Sequence, residues 1–124
     1  NYLGHWQLMG FGYWAIEEKS SGKYIGDIGL ADFKREITPS IRDTPEAGWA
    51  LSAEAHGKGY ASEALKAVLE WGDRSLKSQK TVCIITPENV KSIELAKKFG
   101  YVEMQSTLFN EKAVVLYSRV SNLK

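Results

Sequence analysis

The chain of 124 residues is the length of a single domain, and 44% hydrophobic with 25% charged residues is an ordinary globular composition. Sixteen Lys and Arg against 15 Asp and Glu leave a net charge of +1, which excludes bulk attraction to a nucleic-acid backbone or an anionic membrane as the basis of function. No apolar run approaches the roughly 20 residues of a membrane helix, and no secretory signal is evident. The single Cys83 forms no internal disulfide. The expectation is a cytoplasmic enzyme or binding domain.

In chain order, the sequence opens at Asn1 and continues as Tyr2-Leu3-Gly4-His5-Trp6-Gln7-Leu8-Met9. Chain ends are ordinarily polar and frayed, so this apolar start reads as part of a longer chain. Leu3, Trp6 and Leu8 have a loosely helical spacing that Gly10 breaks. Phe11 to Glu18 reads as a strand, Ser20 to Lys23 as a turn, and Tyr24 to Phe33 as the answering strand of a hairpin. Lys34 to Thr44 is a polar loop holding Pro39, and Glu46 to Leu51 is a third strand.

From Gly59 to about Arg74 the apolar residues Tyr60, Ala64, Leu65, Val68 and Trp71 recur at helical spacing. Thr81 to Ile85 is a short β-branched run that predicts a buried parallel strand, ended by Pro87. A second helix is predicted from Asn89 to Phe99, with Gly100 at its stop position. Tyr101 to Thr107 and Ala113 to Val120 form a closing hairpin around Asn110-Glu111. Antiparallel ends thus flank one central βαβ unit, so the class is α/β or α+β with a mixed, mostly antiparallel sheet. Trp6, Trp14 and Trp49 read as core rather than as a substrate cage.

The segment Ala53-Glu54-Ala55-His56-Gly57-Lys58-Gly59-Tyr60-Ala61-Ser62-Glu63-Ala64 carries the chemistry. A strand ends, two glycines stand one residue apart, and a helix begins at once. Unpaired N–H groups at the positive end of a helix dipole make an anion cradle suited to phosphate. A plain strand-to-helix turn explains the same residues about equally well. A P-loop requires Ser or Thr after Lys58, and a dinucleotide fingerprint requires a glycine where Ser62 stands. Glu88 would then mimic a ribose-binding acid, but the chain offers one βαβ unit where that fold uses several.

His56-Gly57-Lys58-Gly59-Tyr60-Ala61 resembles the acyl-CoA loop of the GNAT N-acetyltransferases, [QR]-x-x-G-x-[GA], with His56 in place of Gln or Arg. The wider run from Glu46-Ala47-Gly48-Trp49-Ala50-Leu51 through Ala64 resembles the RimJ/RimL branch, which acetylates ribosomal-protein N-termini. Asn89-Val90-Lys91-Ser92 and Phe99-Gly100-Tyr101 match that branch's later helix at both ends. The resemblance covers nearly the whole chain as one domain, residues 1–124, and implies a strand and helix pair preceding Asn1.

The resemblance implies acetyl-CoA as co-substrate and no metal. Backbone N–H groups from His56, Gly57, Lys58, Gly59, Tyr60 and Ala61 would hold the diphosphate. Pantetheine would lie between two splayed strands, bonded near Trp49, Ala50 and Leu51, where a backbone N–H would stabilise the oxyanion. The amine attacks directly, so Cys83 is not needed as a nucleophile and reads as a small core residue. Glu46 is the candidate base, sharing a strand face with the small residues Gly48 and Ala50, with Asp27 a second candidate. A solvated strand-start glutamate explains Glu46 equally well. The family's leaving-group Tyr is replaced by Ala96, so Ser92 would contact the departing thiolate and Asn89 the pantetheine amide. A helix cap explains Asn89, and a first-turn surface position explains Ser92. Lys58 and Lys91, near the two helix starts, would meet phosphates or simply face solvent.

The expected partner is an amine acceptor, best a protein N-terminus and otherwise a small molecule, with no nucleic acid and no membrane. A homodimer at a sheet edge or face left uncovered is a further expectation. The rival class is a non-catalytic acyl-CoA-binding or sensing domain, which needs neither base nor leaving-group partner.

Overall fold

The computed structural model describes residues 3–10, 13–31, 37, 40–41, 44–52, 55–75 and 80–121, with the side chains of 3–10, 13 and 31 outside that description. Phe11, Gly12, Pro39, Ala53, Glu54 and most of the 34–44 loop, all read above, lie outside it.

Strands and helices follow in the order β1 (Leu3–Gly10), β2 (Tyr13–Glu18), β3 (Tyr24–Ala31), β4 (Glu46–Leu51), α1 (Tyr60–Ser75), β5 (Lys80–Ile85), α2 (Val90–Lys98), β6 (Val102–Phe109) and β7 (Lys112–Val120). The strands make one seven-stranded sheet in the order β1-β2-β3-β4-β5-β7-β6. The opening segment is the main departure from the sequence reading. Residues 3–10 are a strand, not a loose helix, because their backbone pairs antiparallel with β2, Trp6 opposite Ile16 and Leu8 opposite Trp14. Two register shifts interrupt that ladder, as bulges do where a strand bends at a sheet edge.

The β4–β5 junction fixes the site. These are the two parallel neighbours, and their ladder has one registered pair, Glu46 with Val82, supported by Val82 N–H donating to the Pro45 carbonyl at 3.0 Å. Beyond that pair the strands diverge. On its other side β5 is antiparallel to β7 along its whole length, from Lys80–Val120 to Ile85–Val115. The expected parallel strand is therefore parallel on one edge only.

α1 buries Tyr60, Ala64, Leu65, Val68, Leu69 and Gly72, a stripe at 3.6-residue spacing that faces the sheet. That stripe packs with Ile16, Ile28, Leu30, Ala47, Cys83, Val115 and Tyr117 into the main core. Each fully buried Leu, Ile or Val contributes about 1.5–3 kcal/mol. Trp71 meets Trp14 edge-on, ring centroids 4.7 Å apart at 80°. Ile41, Val82 and Leu116 form a second cluster, with Ile37 and Ile84 packed against it. Alternation along β5 sends Cys83 and Ile85 into one cluster and Val82 into the other.

α2 begins with Asn89 as N-cap, its side-chain oxygen accepting from the Ser92 N–H. It ends in a Schellman motif: Gly100 at φ 95° lets its own N–H reach the Lys97 carbonyl and the Tyr101 N–H reach that of Ala96, each at 3.1 Å. The closing hairpin turns through Asn110 and Glu111, both at positive φ, the two-residue turn whose twist suits paired strands. Arg119 of β7 donates both Nη groups to the Asp73 carboxylate at 3.0 and 2.9 Å and its Nε to the Phe99 carbonyl at 3.0 Å. This fork joins β7, α1 and the end of α2. Removing either charge of such a buried pair costs about 3–5 kcal/mol. Among the described residues no helix is long and apolar enough to cross a membrane.

Candidate active site

Where β4 and β5 diverge, a cleft of about 720 Å³ opens between the end of β4, the loop into α1 and the start of α2. Its walls include Trp49, Ala50, Leu51, His56, Gly57, Gly59, Tyr60, Ala61, Asn89 and Ser92. These are the residues that the motifs singled out, brought together from three chain segments. Lys91 also lines the cleft. Lys58 does not; its Nζ lies 3.7 Å from Glu18 Oε2 instead.

The loop's backbone explains its glycines. Gly57 stands at φ 77° and Gly59 at φ 80°, left-handed values that disfavour other residues, and a Cβ on either would meet nothing within 4 Å. Conformation, not crowding, demands glycine here, and the space beside the backbone is open to a ligand. α1 starts directly after Gly59, with the Glu63 N–H on the Gly59 carbonyl at 3.0 Å. The N-terminal ends of α1 and α2 both border this one cleft, a placement that favours an anionic ligand.

His56, the departure from Gln or Arg, is exposed, and its Nε2 donates to the Leu51 carbonyl at 3.2 Å. The loop is thereby tied back to the end of β4. A glycine on β3 shapes the same strand end: a Cβ at Gly26 would overlap the Ala50 carbonyl oxygen and crowd Leu51. Gly26 thus lets the β4 backbone lie close against β3 where it lines the cleft.

Across the cleft, Trp49 Nε1 donates to Ser92 Oγ at 3.2 Å, and the Ser92 N–H donates to Asn89 Oδ1 at 3.2 Å. Ser92 keeps a hydroxyl hydrogen, and Asn89 keeps its amide N–H groups, for other partners. Asn89 is therefore a helix cap whose amide donors are not used by that cap.

The two carboxylate candidates stand apart from the cleft walls. Glu46 is 6% exposed and borders a second cavity of about 390 Å³ with Ile84, Thr86, Phe109, Asn110, Lys112 and Val114. Alternation places Glu46, Gly48 and Ala50 on the face of β4 opposite Ala47, Trp49 and Leu51, which pack on the main core. Asp27 lies opposite Ala50 in the β3–β4 ladder and accepts from Tyr24 OH at 2.9 Å. That bond to a carboxylate pushes the Tyr24 phenol above its ordinary pKa. Burial, with Glu46 nearby, pushes the Cys83 thiol well above its usual range, which agrees with an inert core role.

Sequence reasoning missed Glu18. It accepts from Tyr60 OH at 2.5 Å and from Ser21 Oγ at 2.7 Å, and these bonds hold its carboxyl below the usual carboxylate range. Glu18 and Tyr60 stand 42 residues apart, so no local pattern announces the pair.

The profile of the acetyltransferase (GNAT) domain family matches residues 1–102. The chain belongs to that family. Bacillus subtilis (strain 168) YkkB is 29% identical over 112 residues, which is 90% of this chain and 63% of YkkB. A Bordetella pertussis structure described as a GnaT-family acetyltransferase superposes with a TM-score of 0.81 at 31% identity, over 88% of this chain and 65% of that one. The ribosomal-protein-S5-alanine acetyltransferase of Vibrio fischeri superposes with a TM-score of 0.73 at 20% identity, over 89% of this chain and 61% of that one, a likeness of fold. The chain thus spans a little under two thirds of each of these relatives.

Proposed function

We propose that the chain is the catalytic domain of an acetyl-CoA-dependent N-acetyltransferase that acts on a primary amine. The carrying observation is the cleft beside the end of β4, where positive-φ glycines and the starts of two helices meet Trp49, Ala50 and Leu51. That combination suits a long ligand with an anionic end and a less polar arm. Residues 56–61 would hold the diphosphate by backbone N–H groups, and Trp49, Ala50, Leu51 and Asn89 would hold the pantetheine. The bound co-substrate supplies an activated acyl thioester.

The chain's own groups then do three things. A backbone N–H at the end of β4 would face the developing negative charge, which a fixed dipole stabilises without reorganising. Ser92 would stabilise the departing thiolate by a hydrogen bond from its hydroxyl, keeping its own proton. Glu46 would accept the proton that the acceptor ammonium loses before the neutral amine attacks, from the cavity that it borders on the opposite face of β4. For the acceptor we infer a protein N-terminal amine, supported by the motif resemblance to the RimJ/RimL branch, with a small-molecule amine the alternative. The expected site of action is the cytoplasm.

The test is a thermal-shift screen with acetyl-CoA, ATP and NAD, followed by turnover on N-terminal peptides and small amines. Protection by acetyl-CoA alone and turnover on peptides support the reading. Protection by nucleotides and not by acetyl-CoA overturns it. Acetyl-CoA binding with no turnover on any amine favours the sensor reading, and E46A with undiminished turnover removes Glu46 as the base.

A further inference from the structure

Gly57 and Gly59 make the phosphate loop permissive, since glycine loses more backbone freedom on ordering than any other residue. Residues 56–59 are also exposed, so packing alone does not fix them. Three side-chain contacts bear on its position. One is the His56 bond to the Leu51 carbonyl. The other two converge on one carboxylate, Glu18, which receives Tyr60 OH at 2.5 Å and stands 3.7 Å from Lys58 Nζ.

Glu18 is well placed to anchor. It ends β2, its own N–H donates to the Lys23 carbonyl, and its carbonyl accepts from Gly22 N–H, both at 2.8 Å. Its second carboxylate oxygen is held by Ser21 at 2.7 Å. The side chain is therefore fixed at both ends before it meets the loop. Tyr60, the first residue of α1, is 5% exposed, so its phenol is a buried strut joining the helix start to the hairpin. The residues that Glu18 holds, 58 and 60, bracket Gly59. A carboxylate beneath an anion cradle would repel phosphate if left bare. Here three donors, one of them a cation, take up its charge.

We propose that Glu18 is a positioning residue for the phosphate loop, fixing residues 58–60 through Tyr60 and Lys58 so that the loop's N–H groups stand ready for the CoA diphosphate. This rests on the reading of the cleft as a CoA site. Glu18 touches no ligand itself; it acts through the two side chains it holds.

The experiment is calorimetric titration of CoA, and separately of pantetheine, into the wild-type chain and the variants E18A, E18Q and Y60F. Pantetheine carries the arm without the phosphates. E18A and Y60F are expected to raise the Kd for CoA about tenfold, as loss of a charge-assisted hydrogen bond allows, and that for pantetheine less than about twofold. E18Q, which still accepts from Tyr60, is expected to recover most of the loss. Y60F keeps the buried ring and reports on the strut even where E18A folds poorly. Equal weakening of both ligands, or no weakening, together with a lower melting temperature, overturns the proposal and leaves Glu18 a scaffold residue. A wild-type chain that binds CoA no better than pantetheine removes the CoA reading itself. A wild-type preference for CoA that the variants retain removes only the role of Glu18.

Discussion

Trp49 on β4 and Ser92 on α2 share a hydrogen bond of 3.2 Å across the cleft, indole N–H to hydroxyl oxygen. The strands beneath them pair only at Glu46 and Val82, so this bond bridges an opening that the sheet leaves. A hydroxyl that accepts one hydrogen bond becomes a better donor of its own hydrogen. If Ser92 contacts the leaving sulfur, Trp49 strengthens it. S92A is expected to lower kcat roughly tenfold to a hundredfold with little change in KM for acetyl-CoA. W49F, which loses the N–H and keeps an aromatic ring, is expected to lower kcat about threefold. The double variant should then be no slower than S92A, because both act through one hydroxyl. Additive losses in a double-mutant cycle would disconnect the pair.

Asn89 allows cap and ligand roles to be separated. Its oxygen caps α2 through the Ser92 N–H at 3.2 Å, which an aspartate also does, whereas only the asparagine has N–H donors. N89A is expected to cost about 1 kcal/mol in stability and also to weaken acetyl-CoA. N89D should melt close to wild type and bind acetyl-CoA several-fold more weakly. Thermal melts beside titrations check this, and unweakened binding by N89D would leave Asn89 a cap alone.

Much of this architecture is legible in the sequence because β4, α1, β5 and α2 carry local punctuation. Gly57 and Gly59 mark the loop, Asn89 the cap, Gly100 the stop, and each sits where its spacing implies. Leu3, Trp6 and Leu8 misled because their mixed spacing of three and two fits either period. Only the ladder to β2, a nonlocal pairing, makes the segment a strand. The site divides the same way. The cleft walls are motif residues, while Glu18 reaches Tyr60 only after β2 and α1 are both in place. Lys58 sits inside the motif, yet a carboxylate from another element directs it away from the cleft walls.

Gly57 has a matched control in the hairpin turn. Gly22 stands at φ 70° and Gly57 at φ 77°, and a Cβ on either meets nothing within 4 Å. Alanine at either position therefore carries the same backbone penalty, about 1 kcal/mol or more, without a clash. G22A and G57A are expected to lose similar stability in denaturant melts. Only G57A should also weaken acetyl-CoA, by about tenfold, because its loop must offer N–H groups in a fixed array. Equal affinity in the two variants would count against the phosphate cradle.

Glu18 also predicts a pH signature. Hydrogen bonds from Tyr60 and then Ser21, with Lys58 nearby, lower its pKa in the folded chain below the ordinary 4.5. A carboxylate depressed on folding contributes stability that is fully present above its unfolded pKa and is lost as pH falls through the lower folded value. The contribution is thus intact at neutral pH and fades below pH 4.5. E18Q has no such proton to take up. Melting temperatures measured from pH 6 to pH 3 should show wild type above E18Q at the upper end and the gap closing below about pH 4.5. Parallel melting curves for the two proteins across that range would mean that the Glu18 charge contributes nothing to holding the loop.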